Sequence, residues 1–388
     1  MPPIPLLLSA GEASGDMYAS QLATALKRRL DVAIFGMGGR QMRAAGVEII
    51  TDYSEVSVVG ITEVIKRLPS LVRAMRHLVE EAARRKPPLA VLTDFPGFHL
   101  RLARKLGPKG IRNVYYICPQ FWAWRPWRVN LVRRRFAKAL CIFPFEEKFY
   151  ADAGVSVKFI GHPLVGNVNP TLTRELFCKK YGLGDGCRIL TVLPGSRGGE
   201  IAHHVPVLAE ALAEIKRTLP GRLEVVVAAA PGLDVERLKS KFPQGGGVHF
   251  VEGDTYNAIA AADLAIVSSG TATVETALLG RPMIVVYRLS PLTARLAKPL
   301  LKTKHFSMVN LIAGCAAVPE LIQDDFTPKR VAEEAAKLLD PSAAGQARVE
   351  EMQRALAEVR RRLGPPGAVD RAADEIVALL QVSKSNAK

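Results

Sequence analysis

Short runs of consecutive apolar residues recur along the chain, separated by segments whose apolar positions fall three and four residues apart. IPLLL (4–8), VAIFG (32–36), LAVLT (89–93), NVYYIC (113–118) and ALCIF (139–143) are the runs of the first half. RILTVL (188–193), LEVVVAAA (223–230), VHFVE (248–252), LAIVSS (264–269) and PMIVVYR (282–288) follow in the second. Apolar runs this short and this continuous predict strands buried on both faces, as in a parallel sheet. The segments between them read as helices, among them one running to Leu30, one over 68–86 and one over 201–218. The alternation predicts an α/β protein of two similar parallel-sheet halves, with a ligand in the cleft between them. FIGHPL (159–164) and the Asn-, Pro- and Thr-containing stretch after it close the first half. The expected domains are 1–168, 169–345 and a helical tail, 346–388, expected to pack back on the first domain.

Composition narrows the class. A chain of 388 residues, 48% of them hydrophobic, suits two well-filled cores. No apolar run reaches the roughly 18 residues of a membrane span, and the run at 6–8 is too short for a signal-peptide core. A cytoplasmic protein is expected. The five cysteines are scattered without a CxxC pair, which indicates neither a disulfide framework nor a zinc site. The formal charge of +16 is concentrated early, with 25 Lys and Arg against 13 Asp and Glu over residues 1–165 and 28 against 24 beyond. Such a surface seeks polyanions: nucleic acid, phosphorylated substrates or an anionic membrane.

Candidate chemistry sits where strands give way to helices. In RILTVLPGSRGGE (188–200), Gly195, Gly198 and Gly199 let a ligand approach the backbone. The helix start beyond them offers unpaired N–H groups, and Arg197 offers a planar cationic fork. Those are the parts of a diphosphate site, although an ordinary strand-to-helix turn with a solvated arginine fits the same segment. SSGTATVETALLG (268–280) puts Ser269, Gly270 and Thr271 at a second such turn, with Glu275 one helical turn on, able to accept hydrogen bonds from the two hydroxyls of a ribose. A nucleotide diphosphate site explains both segments together better than two unrelated turns do. Asp94 follows LAVLT directly, at the carboxyl end of a parallel strand, as a candidate general base or as the cap of a helix beginning near His99. His99 itself reads as a locally bonded loop residue. Glu12 and Asp16 in SAGEASGD lie near the same edge, and Asp16 also suits a helix N-cap. Neither that loop nor GMGG (36–39) is GxGxxG, which disfavours a dinucleotide dehydrogenase.

Two segments concern surfaces. Over 68–86, Leu68, Leu71, Val72, Met75, Leu78 and Val79 recur at helical spacing opposite several arginines. A core-facing stripe with a solvated basic side is the plain reading, and with VVGITEVI (58–65) before it the region could also touch a bilayer. PQFWAWRPWR (119–128) holds all three tryptophans and two arginines, a pattern used in base stacking and at membrane interfaces, with packing the plainer account of Trp122 and Trp124.

Taken in order, SAGEASGD, GMGG, TDFPGFHL (93–100), WAWR (122–125), GHPL (161–164), LPGSR with Glu200, SGTATVE (269–275), MVNLIAG (308–314) and PELIQ (319–323) closely resemble the lipid-A-disaccharide synthases, glycosyltransferases of the GT-B type with two Rossmann-like parallel-sheet domains facing a cleft. The resemblance covers nearly the whole chain. It implies an inverting transfer from UDP-2,3-diacylglucosamine to the 6-hydroxyl of 2,3-diacylglucosamine 1-phosphate, releasing UDP, without cofactor or metal. It implies that Gly195, Ser196, Arg197 and Glu200 serve the diphosphate, that Ser269, Gly270, Thr271 and Glu275 serve the nucleotide, and that Asn310 lies near the nucleotide sugar. Asp94 looks like the catalytic base and Glu12 is a second candidate. The chain departs from the family pattern at His99, usually Asn, and at Gly166, usually Asp. Peripheral attachment to the anionic inner membrane from the cytoplasm is expected. The alternatives are another GT-B enzyme using UDP-N-acetylglucosamine, either a soluble-acceptor transferase or a 2-epimerase, and an RNA-binding protein. The last lacks an RNA-recognition motif, and no nucleic-acid partner is expected.

Overall fold

The apolar runs become strands of two parallel sheets, all of them inner strands except VHFVE (248–252), which forms an edge of the second. The computed structural model describes residues 2–55, 68–184, 186–219, 221–230, 233–242, 247–290, 295 and 304–385, with side chains through Gln381. VVGITEVI lies outside the described residues. The first sheet comprises β1 (Ile4–Ala10), β2 (Val32–Gly38), β3 (Glu48–Asp52), β4 (Leu89–Thr93), β5 (Arg112–Tyr116), β6 (Lys138–Cys141) and β7 (Val157–Phe159). The second comprises β8 (Arg188–Leu193), β9 (Leu223–Ala229), β10 (Val248–Glu252), β11 (Leu264–Ser268), β12 (Met283–Tyr287) and β13 (Glu320–Ile322). Leu6, Leu7 and Leu8 of β1, like Val225, Val226 and Val227 of β9, are wholly buried, because helices cover both faces.

The strand orders are β3-β2-β1-β4-β5-β6-β7 and β10-β9-β8-β11-β12-β13, both doubly wound, and every pairing is parallel. In such a sheet, crossovers leave in opposite directions from the first strand and its later neighbour, opening a crevice at their carboxyl ends. The switch falls between β1 and β4 in one sheet and between β8 and β11 in the other. Pairing of Ala10 with Thr93 puts the Glu12 and Asp94 loops side by side, and pairing of Val267 with Leu193 does the same for Pro194 and Ser269.

The chain forms two compact units, Met1–Val165 with Leu363–Lys388, and Gly166–Arg362. The chain thus changes unit twice, and the second change differs from the expected break at 345. The helix Ala343–Arg362 stays with the second unit, burying Met352, Leu356 and Val359 along one face against Thr271–Leu278 and Met308–Ala313. The return occurs at the Gly364–Gly367 turn, after which the helix Ala368–Ser385 packs on Ala13–Lys27. Arg29 pairs with Asp370 and Asp374 at 3.0 and 2.8 Å, and Lys138 with Glu375 at 2.8 Å. Among the described residues no helix is long and apolar enough to cross a membrane.

Candidate functional site

In the second unit, the loop after β8 is shaped by one carboxylate. Glu200 is the third residue of the helix Gly198–Thr218, and its Oε2 accepts the N–H groups of Ser196 (3.0 Å) and Arg197 (3.3 Å). Its Oε1 lies 3.4 Å from Arg197 Nη1. Glu200 thus builds the turn, reaching back over the helix start as a capping residue does. Gly195 has φ +120°, and a Cβ there would lie 2.7 Å from Glu200 Oε2, so only glycine fits. A Cβ on Gly198 or Gly199 would meet nothing within 4 Å, leaving open space over a helix N-terminus that carries partial positive charge.

His204 holds this loop to the neighbouring strand end. The imidazole is wholly buried, 2.9 Å from Pro194 O through Nδ1 and 2.9 Å from the Arg288 amide nitrogen through Nε2. A carbonyl can only accept and an amide N–H can only donate, so Nδ1 carries the proton and the ring is neutral. Burial pushes its pKa down, in keeping with that tautomer.

The turn after β11 lies beside this loop. Ser268 Oγ is buried and unpartnered among the described residues, and it would stand 3.4 Å from a Cβ on Gly195. Ser269 and Thr271 are partly exposed, while Gly270 caps the helix Thr271–Leu278. Glu275 is partly buried, and Tyr256 donates to its Oε1 at 3.2 Å. Burial pushes the Glu275 carboxyl up, and the Tyr256 hydrogen bond opposes that shift. Asn310 is spent within the protein. Its Nδ2 donates to Val318 O (2.9 Å) and Glu320 Oε1 (2.8 Å), and its Oδ1 accepts from Val318 N (2.9 Å). Any influence of Asn310 on a ligand therefore passes through the segment it ties down.

In the first unit, Asp94 and Phe95 both take left-handed backbone conformations, φ +49° and +48°, rare for non-glycine residues and concentrated at functional sites. The turn is pinned through its main chain. Asp94 O accepts from Tyr115 Oη (3.0 Å) and from His99 Nδ1 (2.7 Å), and His99 Nε2 lies 2.8 Å from Ser9 Oγ. His99 thus ties the β4 loop to β1, and burial lowers its pKa to about 4. The helix here begins at Pro96, earlier than the sequence suggests, because proline's fixed φ suits a first helical position. Its N-cap is Phe95, so capping does not account for Asp94.

Glu12 is the N-cap residue of Ala13–Lys27, yet its side chain makes no cap bond. Gly11 packs on the Phe95 ring, where a Cβ would come within 2.2 Å. Asp16 instead caps the helix Arg40–Ala44, accepting from the amides of Gly39 (2.6 Å), Gln41 (2.9 Å) and Met42 (3.3 Å). The pattern of the chain gave no sign of Glu146. It is wholly buried, accepts from Trp122 Nε1 (3.0 Å) and Phe143 N (3.3 Å), and has a carboxyl pushed up to about 8 by burial and, to a lesser extent, by Asp94.

A family model described as lipid-A-disaccharide synthetase matches residues 6–364. The lipid-A-disaccharide synthase of Myxococcus xanthus (strain DK1622) is 45% identical over 378 residues, 97% of each chain, and that of Solibacter usitatus (strain Ellin6076) is 44% identical with the same coverage. Among solved structures, the UDP-GlcNAc 2-epimerase of Neisseria meningitidis bound to UDP-GlcNAc aligns over 97% of this chain and 100% of its own with a TM-score of 0.63 at 10% identity. The calicheamicin glycosyltransferase CalG4 aligns over 98% and 99% with a TM-score of 0.59 at 19% identity.

Two doubly wound sheets shared with both kinds of protein make this a GT-B fold, common to glycosyltransferases and sugar-nucleotide epimerases. Sequence then separates those activities. The chain belongs to the lipid-A-disaccharide synthase family, hexosyltransferases of lipid A biosynthesis that use a UDP-sugar donor and a lipid acceptor.

Proposed function

We propose that the enzyme joins UDP-2,3-diacylglucosamine to 2,3-diacylglucosamine 1-phosphate, giving a β-1,6-linked disaccharide 1-phosphate and UDP. Asp94 takes the proton of the acceptor's 6-hydroxyl as that oxygen attacks the anomeric carbon with inversion. The C–O bond to the β-phosphate breaks, and UDP leaves with the bonding pair. The Pro194–Gly199 loop and Arg197 hold the diphosphate, and stabilise the charge that grows on it more in the transition state than in the ground state. Glu275, steadied by Tyr256, takes the ribose hydroxyls. Glu12 is the second carboxylate at the acceptor edge.

The observation that carries the assignment of Asp94 is its left-handed turn at the β1/β4 switch, held by His99 and Tyr115 through the main chain. A strained turn kept in place by two side chains supports a functional demand on the residue there.

The enzyme works at the cytoplasmic face of an anionic membrane, peripherally attached. In the first unit the helix Leu68–Arg85 buries Ala74, Met75 and Leu78 but leaves Leu68 and Val72 half exposed, and Trp127 is exposed as well. Exposed apolar residues beside a basic surface support adsorption to anionic lipid. Mass spectrometry of products from the purified enzyme, supplied with the acylated UDP-sugar and the acylated sugar phosphate, tests the reaction. A disaccharide phosphate is expected, whereas epimerised UDP-sugar made without acceptor would overturn the reading.

A further inference from the structure

The loop that follows β5 gathers arginines that no carboxylate pairs among the described residues. It runs through Trp122–Arg128 into the helix Val129–Arg135. Among the described residues Arg101, Arg104, Arg125, Arg128, Arg134 and Arg135 form no salt bridge. In the same unit Arg28, Arg29, Arg43, Arg84 and Arg85 are all paired with carboxylates.

Two of the unmatched arginines rest on aromatic rings. The Arg125 guanidinium carbon lies 5.1 Å from the centre of Trp124, and that of Arg128 lies 6.0 Å from Trp124 and 5.4 Å from the buried Phe121. Arg128 is partly buried, and burial together with repulsion from Arg125 and Arg101 pushes its pKa down. A cation held on rings amid like charges is disfavoured until an anion arrives, and a planar guanidinium fork fits two oxygens of a phosphate.

The position of the loop identifies the anion. Thr93 pairs with Tyr116, so the loop leaves the sheet beside Asp94, and the Tyr115 hydroxyl that bonds Asp94 O also lies within the field of Arg128. We propose that Arg128 and Arg125, supported by Trp124 and Phe121, bind the phosphomonoester of the acceptor and so select the phosphorylated sugar. The assignment rests on the reading of the Asp94 edge as the acceptor site. Bulk anionic lipid headgroups share the phosphate chemistry, and the experiment separates the two sources.

Initial rates are measured in nonionic detergent with the diacylated sugar 1-phosphate and with the same lipid lacking phosphate, for the wild type, Arg128→Gln, Arg128→Lys and Arg125→Gln. Removing the phosphate should lower the wild-type kcat/KM about tenfold to hundredfold, the range for a hydrogen-bonded charge pair. Arg128→Gln should lose a similar factor with the phosphorylated acceptor and little more with the other, while UDP affinity stays unchanged. Arg128→Lys should fall between. Arg125→Gln, at an exposed position, should narrow the preference without any effect on folding.

Retention of the full wild-type preference in both Gln variants overturns the assignment. So does a preference that appears only when anionic phospholipid vesicles are added, since that marks a headgroup site. A wild type that makes no disaccharide from either acceptor removes the reading of the acceptor edge, and the assignment with it.

Discussion

His99 should make the first unit sensitive to acid, and the size of the effect follows from its surroundings. The ring is wholly buried, with Nδ1 donating to Asp94 O and Nε2 facing Ser9 Oγ, and its pKa falls from 6.5 to about 4 because burial penalises the charged form. A group whose folded pKa lies below its unfolded value leaves stability intact above the unfolded value. Stability then falls as pH drops from 6.5 toward 4, because only the unfolded chain binds the proton readily. The loss from His99 should be about 2 kcal/mol at pH 5 and about 3 kcal/mol at pH 4. His99→Leu removes the titration, but leaves the buried Ser9 hydroxyl without its partner, which costs about 1–3 kcal/mol at pH 7. The stability gap between wild type and variant should therefore narrow by about 2 kcal/mol between pH 7 and pH 5. His162, also buried and lowered to about 3, titrates equally in both proteins and cancels. Urea unfolding followed by tryptophan fluorescence is the assay, because Trp122, Trp124 and Trp127 all lie in the first unit. A gap equal at both pH values would refute the reasoning.

Four further outcomes test the site. Arg197→Ala should weaken UDP binding by about tenfold to hundredfold in calorimetry, and unchanged affinity would remove Arg197 from the diphosphate site. Asp94→Asn should keep UDP affinity while lowering kcat by about a hundredfold to ten-thousandfold, and normal turnover would rule it out as the base. Gly195→Ala forces a Cβ to within 2.7 Å of Glu200 Oε2 at a φ of +120°, so the second unit should lose about 1–3 kcal/mol in thermal unfolding. Tyr256→Phe leaves the partly buried Glu275 without that donor and should weaken UDP binding by roughly tenfold, whereas 2′-deoxy-UDP should lose less.

Local pattern alone reached far into this protein. Continuous apolar runs marked β1, β2, β4, β5, β6 and β8 to β12, and the residues where those runs stop, Asp94, Pro194 and Ser269, mark the sheet edges where ligands of such folds sit. The edge strands β3, β7 and β13 were not legible as strands, since EIITD, VKF and ELI hold no more than two consecutive apolar residues and are held by pairing. The tail also divided otherwise than expected, with Ala343–Arg362 kept in the second unit by its own buried face.

What the amino-acid order determined by itself was the list of elements and the loops between them, because burial periodicity is written within windows of a few residues. Only the tertiary structure decided which distant groups meet: His99 with Ser9, His204 with Pro194 and Arg288, Asp16 with the Arg40–Ala44 helix, Tyr256 with Glu275. Those partners are set by strand order and helix packing. A polar side chain must satisfy its hydrogen bonds wherever the fold leaves it, and nothing in its immediate neighbours says where that is.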